Sequence, residues 1–254
     1  MKRAWFVLLI AGFMVAASVA QASLVMSVTA SQDTFVRSDS PNDAFGEADT
    51  LLVGGHASVG PFHSFYKFSV DLTGLQPTDD ILDVTLRLTS IAEAGAGTVD
   101  INLYQLSAAN SDWVEGVSGS ASVGATYNNK AGPAAPAAWA GGNNVAGFVA
   151  GTDYVDTVLG NYSGAANSGT GGETFDFGNA AFTSLIQNNI GSTLELNLVL
   201  IDQTDETNFL RIASKENATF DGPELIIDYI PEPGSFLLLT IGFLGVGFFR
   251  RLNR

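Results

Sequence analysis

The chain has 254 residues, including 11 Lys or Arg and 26 Asp or Glu, which give a formal net charge of −15 at pH 7. The absence of Cys excludes a disulfide scaffold, a Cys-ligated metal or cluster site and a Cys nucleophile. A surface this acidic repels phosphate backbones, which argues against nucleic-acid binding. The hydrophobic content of 46% is too high for a disordered acidic chain.

The N-terminus has the three parts of a secretory signal peptide. Lys2 and Arg3 are followed by an apolar stretch, residues 4–19, and then by Ala20-Gln21-Ala22. We therefore expect a signal helix over residues 1–22, with cleavage by signal peptidase between Ala22 and Ser23. An uncleaved N-terminal anchor is the alternative interpretation.

Residues 23–230 form a body with 25 acidic and 6 basic residues and a net charge of −19. Apolar and polar residues alternate along several runs, as in residues 82–88, 99–103 and 194–200, which is typical of half-buried antiparallel strands. The other face of residues 194–201 turns apolar at its end, which predicts a central strand there. About ten such runs, separated by turn sequences, predict an all-β fold, an antiparallel β-sandwich of jelly-roll-like type.

One short helix interrupts the strands, over residues 180–189. Its apolar stripe consists of Phe182, Leu185 and Ile186. Asn179 is the predicted capping residue, and Gly191 is the residue predicted to end the helix. Residues 128–151 and 160–172 are rich in Gly, Ala, Asn and Ser, and this composition predicts two long loops.

Aromatic and amide side chains in the first of these regions are candidates for sugar binding. Sugars offer C–H faces that stack on aromatic rings, and hydroxyls that bond to amides and carboxylates. The candidates are Trp139, Trp113, Tyr127, Asn128 and Asn143. Trp113 suits a core position better, whereas Trp139, in an Ala- and Gly-rich setting, suits an exposed stacking position as well as a buried one.

Acidic residues in turn-rich segments are candidates for calcium, which binds six to eight oxygen ligands. They are Asp33, Asp39, Asp43, Asp202 and Asp205. A solvated acidic surface explains the same residues, and neither segment matches an EF-hand loop.

Catalytic patterns are weak. His56 and His63 are seven residues apart, a spacing that puts them on opposite faces of a strand. Acid pairs such as Asp79-Asp80 fit turns equally well, and no nucleophile elbow, phosphate loop or HExxH motif is present. We therefore expect a protein that is not an enzyme.

Motifs in a characteristic order run through most of the body. They lie at residues 30–37, 51–54, 112–116, 124–130, 213–216 and 222–225. In this order they resemble the DNRLRE-type β-sandwich domain, a group that includes carbohydrate-binding modules attached to polysaccharide-degrading enzymes. Tyr127 stands where a Trp is commoner in that group. The resemblance implies a sandwich fold and a polysaccharide ligand.

The C-terminus has three further parts. Pro231-Glu232-Pro233 precedes an apolar run, residues 235–249, and a basic end that contains Arg250 and Arg251. Residues 231–254 resemble the PEP-CTERM sorting signal of Gram-negative-type bacteria. The resemblance implies a hydrophobic helix in the inner membrane and cleavage near the Pro-Glu-Pro motif by exosortase, a membrane transpeptidase. A plain tail anchor is the alternative.

Together these patterns predict a non-catalytic exported protein of the cell surface or extracellular matrix that binds polysaccharide. Its acidity favours neutral glycans, and no cofactor is expected other than a possible structural calcium ion. A structural or adhesive matrix protein without a specific sugar site is the first alternative, favoured if Trp139 is buried. A small polysaccharide-processing enzyme built from acid pairs is the second.

Overall fold

A computed structural model describes residues 22–91, 97–118, 123–131, 137–142, 144–166, 170–203 and 208–232. In these residues it contains thirteen strands and one α-helix. The elements are β1 (Leu24–Thr29), β2 (Gln32–Arg37), β3 (Thr50–His56), β4 (Gly60–Asp71), β5 (Asp80–Ile91), β6 (Thr98–Leu106), β7 (Asn129–Ala131), β8 (Ala137–Ala138), β9 (Tyr154–Ala165), β10 (Gly171–Phe177), α1 (Ala180–Gln187), β11 (Thr193–Asp202), β12 (Phe209–Ala213) and β13 (Glu224–Ile230).

All strand pairings between these elements are antiparallel, and apart from the separate β7–β8 pair they form the two layers of a sandwich. One layer contains β1, β13, β5 and β10, and the other contains β12, β3, β4, β11, β6 and β9, with β2 also paired to β4. A single pair, Ile212 opposite Ser90, joins β12 to β5 and connects the layers. The prediction of an all-β antiparallel sandwich is confirmed.

The main core lies between the layers and follows the alternation in the sequence. Leu86 and Leu88 of β5 and Leu196 and Leu198 of β11 are all fully buried, and each such side chain contributes about 1.5–3 kcal/mol. Leu82 departs from the predicted alternation and is 50% exposed, because the register between β13 and β5 shifts at this point.

A second core covers the outer face of the layer that contains β4 and β11. Phe65 and Val199 point outward from these strands and are completely buried. They are covered by buried side chains that pack on this face of the sheet: Trp113, Ala125, Tyr127, Trp139 and Val145. This cover explains why the residues on the outer face of β11 change from polar to apolar towards the end of the strand, as the sequence shows.

The two predicted loops differ from what their composition indicates. Within residues 128–151, β7 and β8 pair as antiparallel strands, and Trp139 and Val145 belong to the second core. Most of residues 160–172 belongs to β9 and β10 rather than to a loop. Small residues occur here because neighbouring backbone is close: a Cβ on Gly160 would lie 2.6 Å from the Gly178 nitrogen.

The predicted helix is confirmed as α1. The Asn179 side chain accepts hydrogen bonds from the backbone N–H groups of Ala181 and Phe182 at 2.9 and 3.1 Å. Phe182 and Ile186 are fully buried against the core. Gly191 has a φ of +83°, a left-handed conformation suited to glycine just beyond a helix.

The first and last strands of the body are neighbours. Leu24 of β1 lies opposite Tyr229 of β13, and Ile230 lies opposite Asp80 at the start of β5. The predicted signal and sorting helices fall in residues 1–21 and 233–254, outside the described residues. In the described part of the chain, no helix is long and apolar enough to cross a membrane.

Candidate functional site

Three carboxylates meet where β2, the segment after β6 and the segment after β12 converge. Asp33, Glu115 and Glu216 each offer an oxygen atom, and the three oxygens lie within 4.8 Å of one another. Asp33 is fully buried, whereas the Glu115 and Glu216 side chains are 16% and 25% exposed. We call these three residues the acid cluster.

Lys215 supplies the positive charge next to the acid cluster. Its Nζ lies 2.9 Å from a Glu115 oxygen and also pairs with Glu216. Its backbone N–H donates to Asp33 Oδ2 at 2.7 Å, and the Asp33 N–H donates to Glu115 Oε1 at 3.2 Å. The cluster therefore ties three distant parts of the chain together.

Burial sets the protonation of the acid cluster. It raises the pKa of Asp33 to about 8, so this carboxyl is protonated at neutral pH. Burial also raises the pKa of Glu115. Burial lowers the pKa of Lys215, but its bonds to Glu216 and Glu115 outweigh that effect and the pKa is raised. Asp33 Oδ1 and Glu216 Oε2 are buried without a hydrogen-bond partner, so the cluster has unused ligand capacity.

The calcium candidates from sequence are not brought together. Of the five, only Asp33 is in the acid cluster. Asp39 is engaged in a two-bond ion pair with Arg37, and the backbone N–H of Asp43 closes a turn. Asp202 ends β11, and Asp205 lies outside the described residues. Among the described residues, the acids that the fold brings together are far apart in the chain.

The two glutamates that complete the acid cluster were not among the predicted calcium candidates, although their sequence carried a signal. Glu115 lies in the motif at residues 112–116 and Glu216 in the motif at residues 213–216, two of the segments that carry the family resemblance. A polar motif residue in a loop is a better site candidate than an acid that is merely near another in sequence.

Trp139 is not an exposed platform, so that interpretation is wrong. Only 1% of the residue is exposed, and its ring stacks on Phe65 with centroids 5.1 Å apart and an interplanar angle of 15°. Its Nε1 donates to the Thr126 carbonyl at 3.2 Å. Phe65 explains the difference, because this outward apolar ring in β4 needs a cover that the second core supplies.

Trp113 and Tyr127 belong to the same second core and are 1% and 6% exposed. The expected core position of Trp113 is confirmed, and Lys67 Nζ lies 4.9 Å from its ring centroid. Asn128 donates to Asn42 Oδ1 at 3.0 Å and so joins two loops. Asn143 lies outside the described residues. The rings of Trp113, Tyr127 and Trp139 have too little exposed surface to stack on a sugar.

A separate groove of about 400 Å³ opens where β3, β4 and β12 meet the end of β2. Its lining combines aromatic and aliphatic side chains with hydrogen-bonding ones: Phe35, Arg37, Ala48, Asp49, Thr50, Leu52, His56, Val59, Phe62, Phe209 and Arg211. The half-buried Phe209 ring packs edge-on against Phe62 at 5.4 Å and against the exposed His56 at 6.1 Å. We call this the β3–β12 groove.

Opposite charges are balanced around the β3–β12 groove. Arg37 is oriented by its ion pair with Asp39, which also raises the pKa of its guanidinium. Arg211 and Asp49 complete the charged lining. His63, the second histidine, is buried elsewhere in β4, and burial lowers its pKa to about 4. The groove therefore offers a ring, several donors and acceptors, and little net charge.

Comparison with known protein families identifies two parts of the chain. Residues 25–147 match carbohydrate-binding module family 96, and residues 230–251 match the PEP-CTERM protein-sorting motif. These matches support a PEP-CTERM protein with a carbohydrate-binding-module-like body. No curated protein matches it. The two matches point to a non-catalytic domain, one suggesting carbohydrate binding and the other exosortase-dependent sorting.

The module match covers only part of each candidate site. It includes Asp33 and Glu115 of the acid cluster, but not Glu216. In the β3–β12 groove it includes the β2, β3 and β4 side chains, whereas Phe209 and Arg211 come from β12, beyond the match. Both sites therefore combine residues inside the match with residues that lie beyond it.

Proposed function

We propose that the protein is a non-catalytic surface or matrix protein that binds polysaccharide in the β3–β12 groove. The observation that carries this proposal is the mixed lining of the groove, with the half-buried Phe209 ring next to Arg37, His56 and Thr50 on a body that matches a carbohydrate-binding module. Sugar-binding sites need this combination of an apolar face and fixed polar groups.

The positions of the acids support binding rather than catalysis. Glu115 is bonded to Lys215, and Asp112 pairs with Lys130 at 2.6 Å. Asp79 accepts two backbone N–H groups. The enzyme alternative requires two carboxylates facing one open groove, as in glycosidases, whereas among the described residues Asp49 is the one acid in the lining of the β3–β12 groove.

The balanced charges of the groove favour neutral glycans. Arg37 pairs with Asp39, and Arg211 shares the lining with Asp49. A polyanion would also approach a body with a net charge of −19, which opposes its association. A glycan array that retains only uronate polymers would contradict this ligand class.

The test compares two arginines that have the same kind of partner. Arg37 pairs with Asp39 in the groove, whereas Arg87 pairs with Asp176 elsewhere at 2.9 Å. In affinity electrophoresis on the glycan selected by the array, Arg37→Ala should weaken retention at least tenfold, as expected for a charge-assisted hydrogen bond. Arg87→Ala should behave as wild type. Equal retention of both variants would remove the groove as the binding site.

A structural or adhesive matrix protein without a sugar site is the second candidate. It is favoured by one observation, the burial of Trp113, Tyr127 and Trp139. Absence of retention on every glycan in the array would support it.

Processing completes the proposal. Signal peptidase would cleave between Ala22 and Ser23, after the small residues Ala20 and Ala22. Exosortase would act at Pro231-Glu232-Pro233 while the helix that ends at Arg250 and Arg251 holds the chain in the inner membrane. The domains are then residues 1–22, 23–230 and 231–254. The mature body would reside on the cell surface or in the extracellular matrix.

We also propose that the acid cluster binds calcium as a structural ion. Three carboxylates suit this hard cation, and two of their buried oxygens have no hydrogen-bond partner. The Lys215 ammonium, 27% exposed at its side chain, would have to turn away and Asp33 to lose its proton. Calcium, the Lys215 ammonium and the Asp33 proton therefore compete for the carboxylates of the acid cluster.

A further inference from the structure

The Pro-Glu-Pro motif begins immediately after the last strand of the sandwich. Ile230 is the final residue of β13 and is still paired with Asp80 of β5. Pro231 follows it directly, and Glu232 is exposed. No spacer separates the folded body from the first two residues of the sorting motif.

The motif has one backbone hydrogen-bond donor, and the body uses it. Pro231 and Pro233 have no N–H group, so Glu232 has the single backbone donor of the three residues. This N–H donates to Asp79 Oδ1 at 2.9 Å. The charged acceptor makes this a stronger bond than one between neutral groups.

Asp79 is itself held firmly in the fold. It is 5% exposed, and its Oδ2 accepts the backbone N–H of Gln76 at 2.8 Å. Its carbonyl accepts from Gln187 Nε2 at 3.0 Å, and Gln187 Oε1 accepts the N–H of Ile81 at 2.8 Å. The motif is thus connected through Asp79 to the last residue of α1.

The bond leaves little free chain before the apolar run. Residues 233 and 234 separate Glu232 from the start of the apolar run at residue 235, and the three Cα–Cα steps between residues 232 and 235 reach about 10 Å when extended. A cleft that closes around an extended peptide must place part of the enzyme beside it. A single α-helix with its side chains is already about 10–12 Å across. An enzyme in the membrane could surround the motif only after the end of the body moves away.

We propose that Asp79 is a positioning residue that holds the sorting motif against the folded body and so limits its cleavage. Glu232 must be released from Asp79 before the membrane enzyme can bind the motif. This inference rests on the proposed exosortase processing. It predicts that the rate of sorting depends on a local opening at the end of β13, not on unfolding of the sandwich.

Two variants release the motif in different ways. Asp79→Asn replaces one acceptor oxygen by an NH₂ group, so the substituted side chain can no longer accept both N–H groups. Insertion of Gly-Ser between Ile230 and Pro231 moves Glu232 away and leaves Asp79 intact. Asp80→Asn is the matched control, because it removes one negative charge from the adjacent, exposed residue.

The experiment follows the full-length precursor in cells that contain exosortase. Pulse-chase with intact mass gives the rate of conversion, and hydrogen exchange of the purified, detergent-solubilised precursor gives the protection of the Glu232 amide. We expect a protected amide in wild type and Asp80→Asn, and loss of protection in both release variants. Conversion of the release variants should be about tenfold faster, the effect of losing one charge-assisted hydrogen bond on an opening equilibrium.

Three results would overturn the inference. An unprotected Glu232 amide in wild type would show that Asp79 does not hold the motif. Release variants that lose protection but convert at the wild-type rate, or more slowly, would show that the bond does not limit cleavage, while sorting itself would stand. A wild-type precursor that is never converted would overturn the sorting function and with it the restraint. Circular dichroism confirms that each variant is folded.

Discussion

Replacing Asp33 by Asn should change how the stability of the body depends on pH. Asp33 is fully buried, and burial raises its pKa from 3.8 to about 8. The neutral Asn side chain is close in shape to the protonated carboxylic acid. Its carbonyl oxygen could keep accepting the Lys215 N–H, and its NH₂ group could donate to the buried Glu216 oxygen that has no partner.

The sign follows from proton binding. The folded chain holds the Asp33 proton up to about pH 8, whereas the unfolded chain releases it near pH 3.8. Between these values the folded state binds more protons, so the free energy of unfolding falls as pH rises. At about 1.4 kcal/mol per pH unit, wild type loses at most about 6 kcal/mol over this window. That is a large part of the stability of a typical domain.

Urea unfolding at pH 5, 7 and 9, in the presence of EDTA, measures this dependence. EDTA is needed because a bound cation would stabilise the ionised Asp33. At pH 5 Asp33→Asn should be about 2 kcal/mol more stable than wild type, and at pH 9 the difference should reach about 6 kcal/mol. Asp39→Asn is the control, since the ion pair with Arg37 lowers the pKa of Asp39 and leaves no titration above pH 5. Parallel profiles for wild type and Asp33→Asn would refute the reasoning.

Two further predictions concern the acid cluster and the second core. Calcium should raise the melting temperature of chelator-treated wild type at pH 9 but not that of Glu115→Gln, because an ion that binds only the folded state stabilises it; calorimetry that shows no shift for wild type would exclude the ion. Trp139→Ala should lower the free energy of unfolding by about 3–5 kcal/mol in urea titrations, because it leaves a cavity beside Phe65. The folded fraction of that variant should still bind glycan normally, and selective loss of binding would return Trp139 to the binding site.

The fold could be predicted from sequence because its main signals are local. Alternation in β5 and at the start of β11 is set by one buried face, and Asn179, which caps α1, lies within three residues of its donors. The outward face of β4 could be predicted less well, because its burial depends on residues that are distant in sequence. Phe65 is an unexplained apolar residue until the rings of Trp113, Trp139 and Phe148 are known to pack against it.

The candidate sites could not be assembled in the same way. Asp33 was recognised as a possible ligand, but Glu115 and Glu216 reach it only through long-range packing. Likewise, Arg37 and Phe209 come from strands at opposite ends of the body. Composition could not separate the buried Trp139 from an exposed one, because small neighbours allow both close packing and exposure.

The antiparallel pairing of β1 with β13 also determines how the body can be rearranged. Leu24 and Tyr229 lie side by side at one end of the body, near the start of β5. Strand β4 runs from Phe62, in the groove, to Asp71 near that end. At 3.3 Å per residue, Phe62 and Asp71 are about 30 Å apart. A short loop could therefore join residue 230 to residue 24, and new termini could be opened elsewhere without breaking the sandwich. Such a circular permutant would keep the groove at the far end of the molecule.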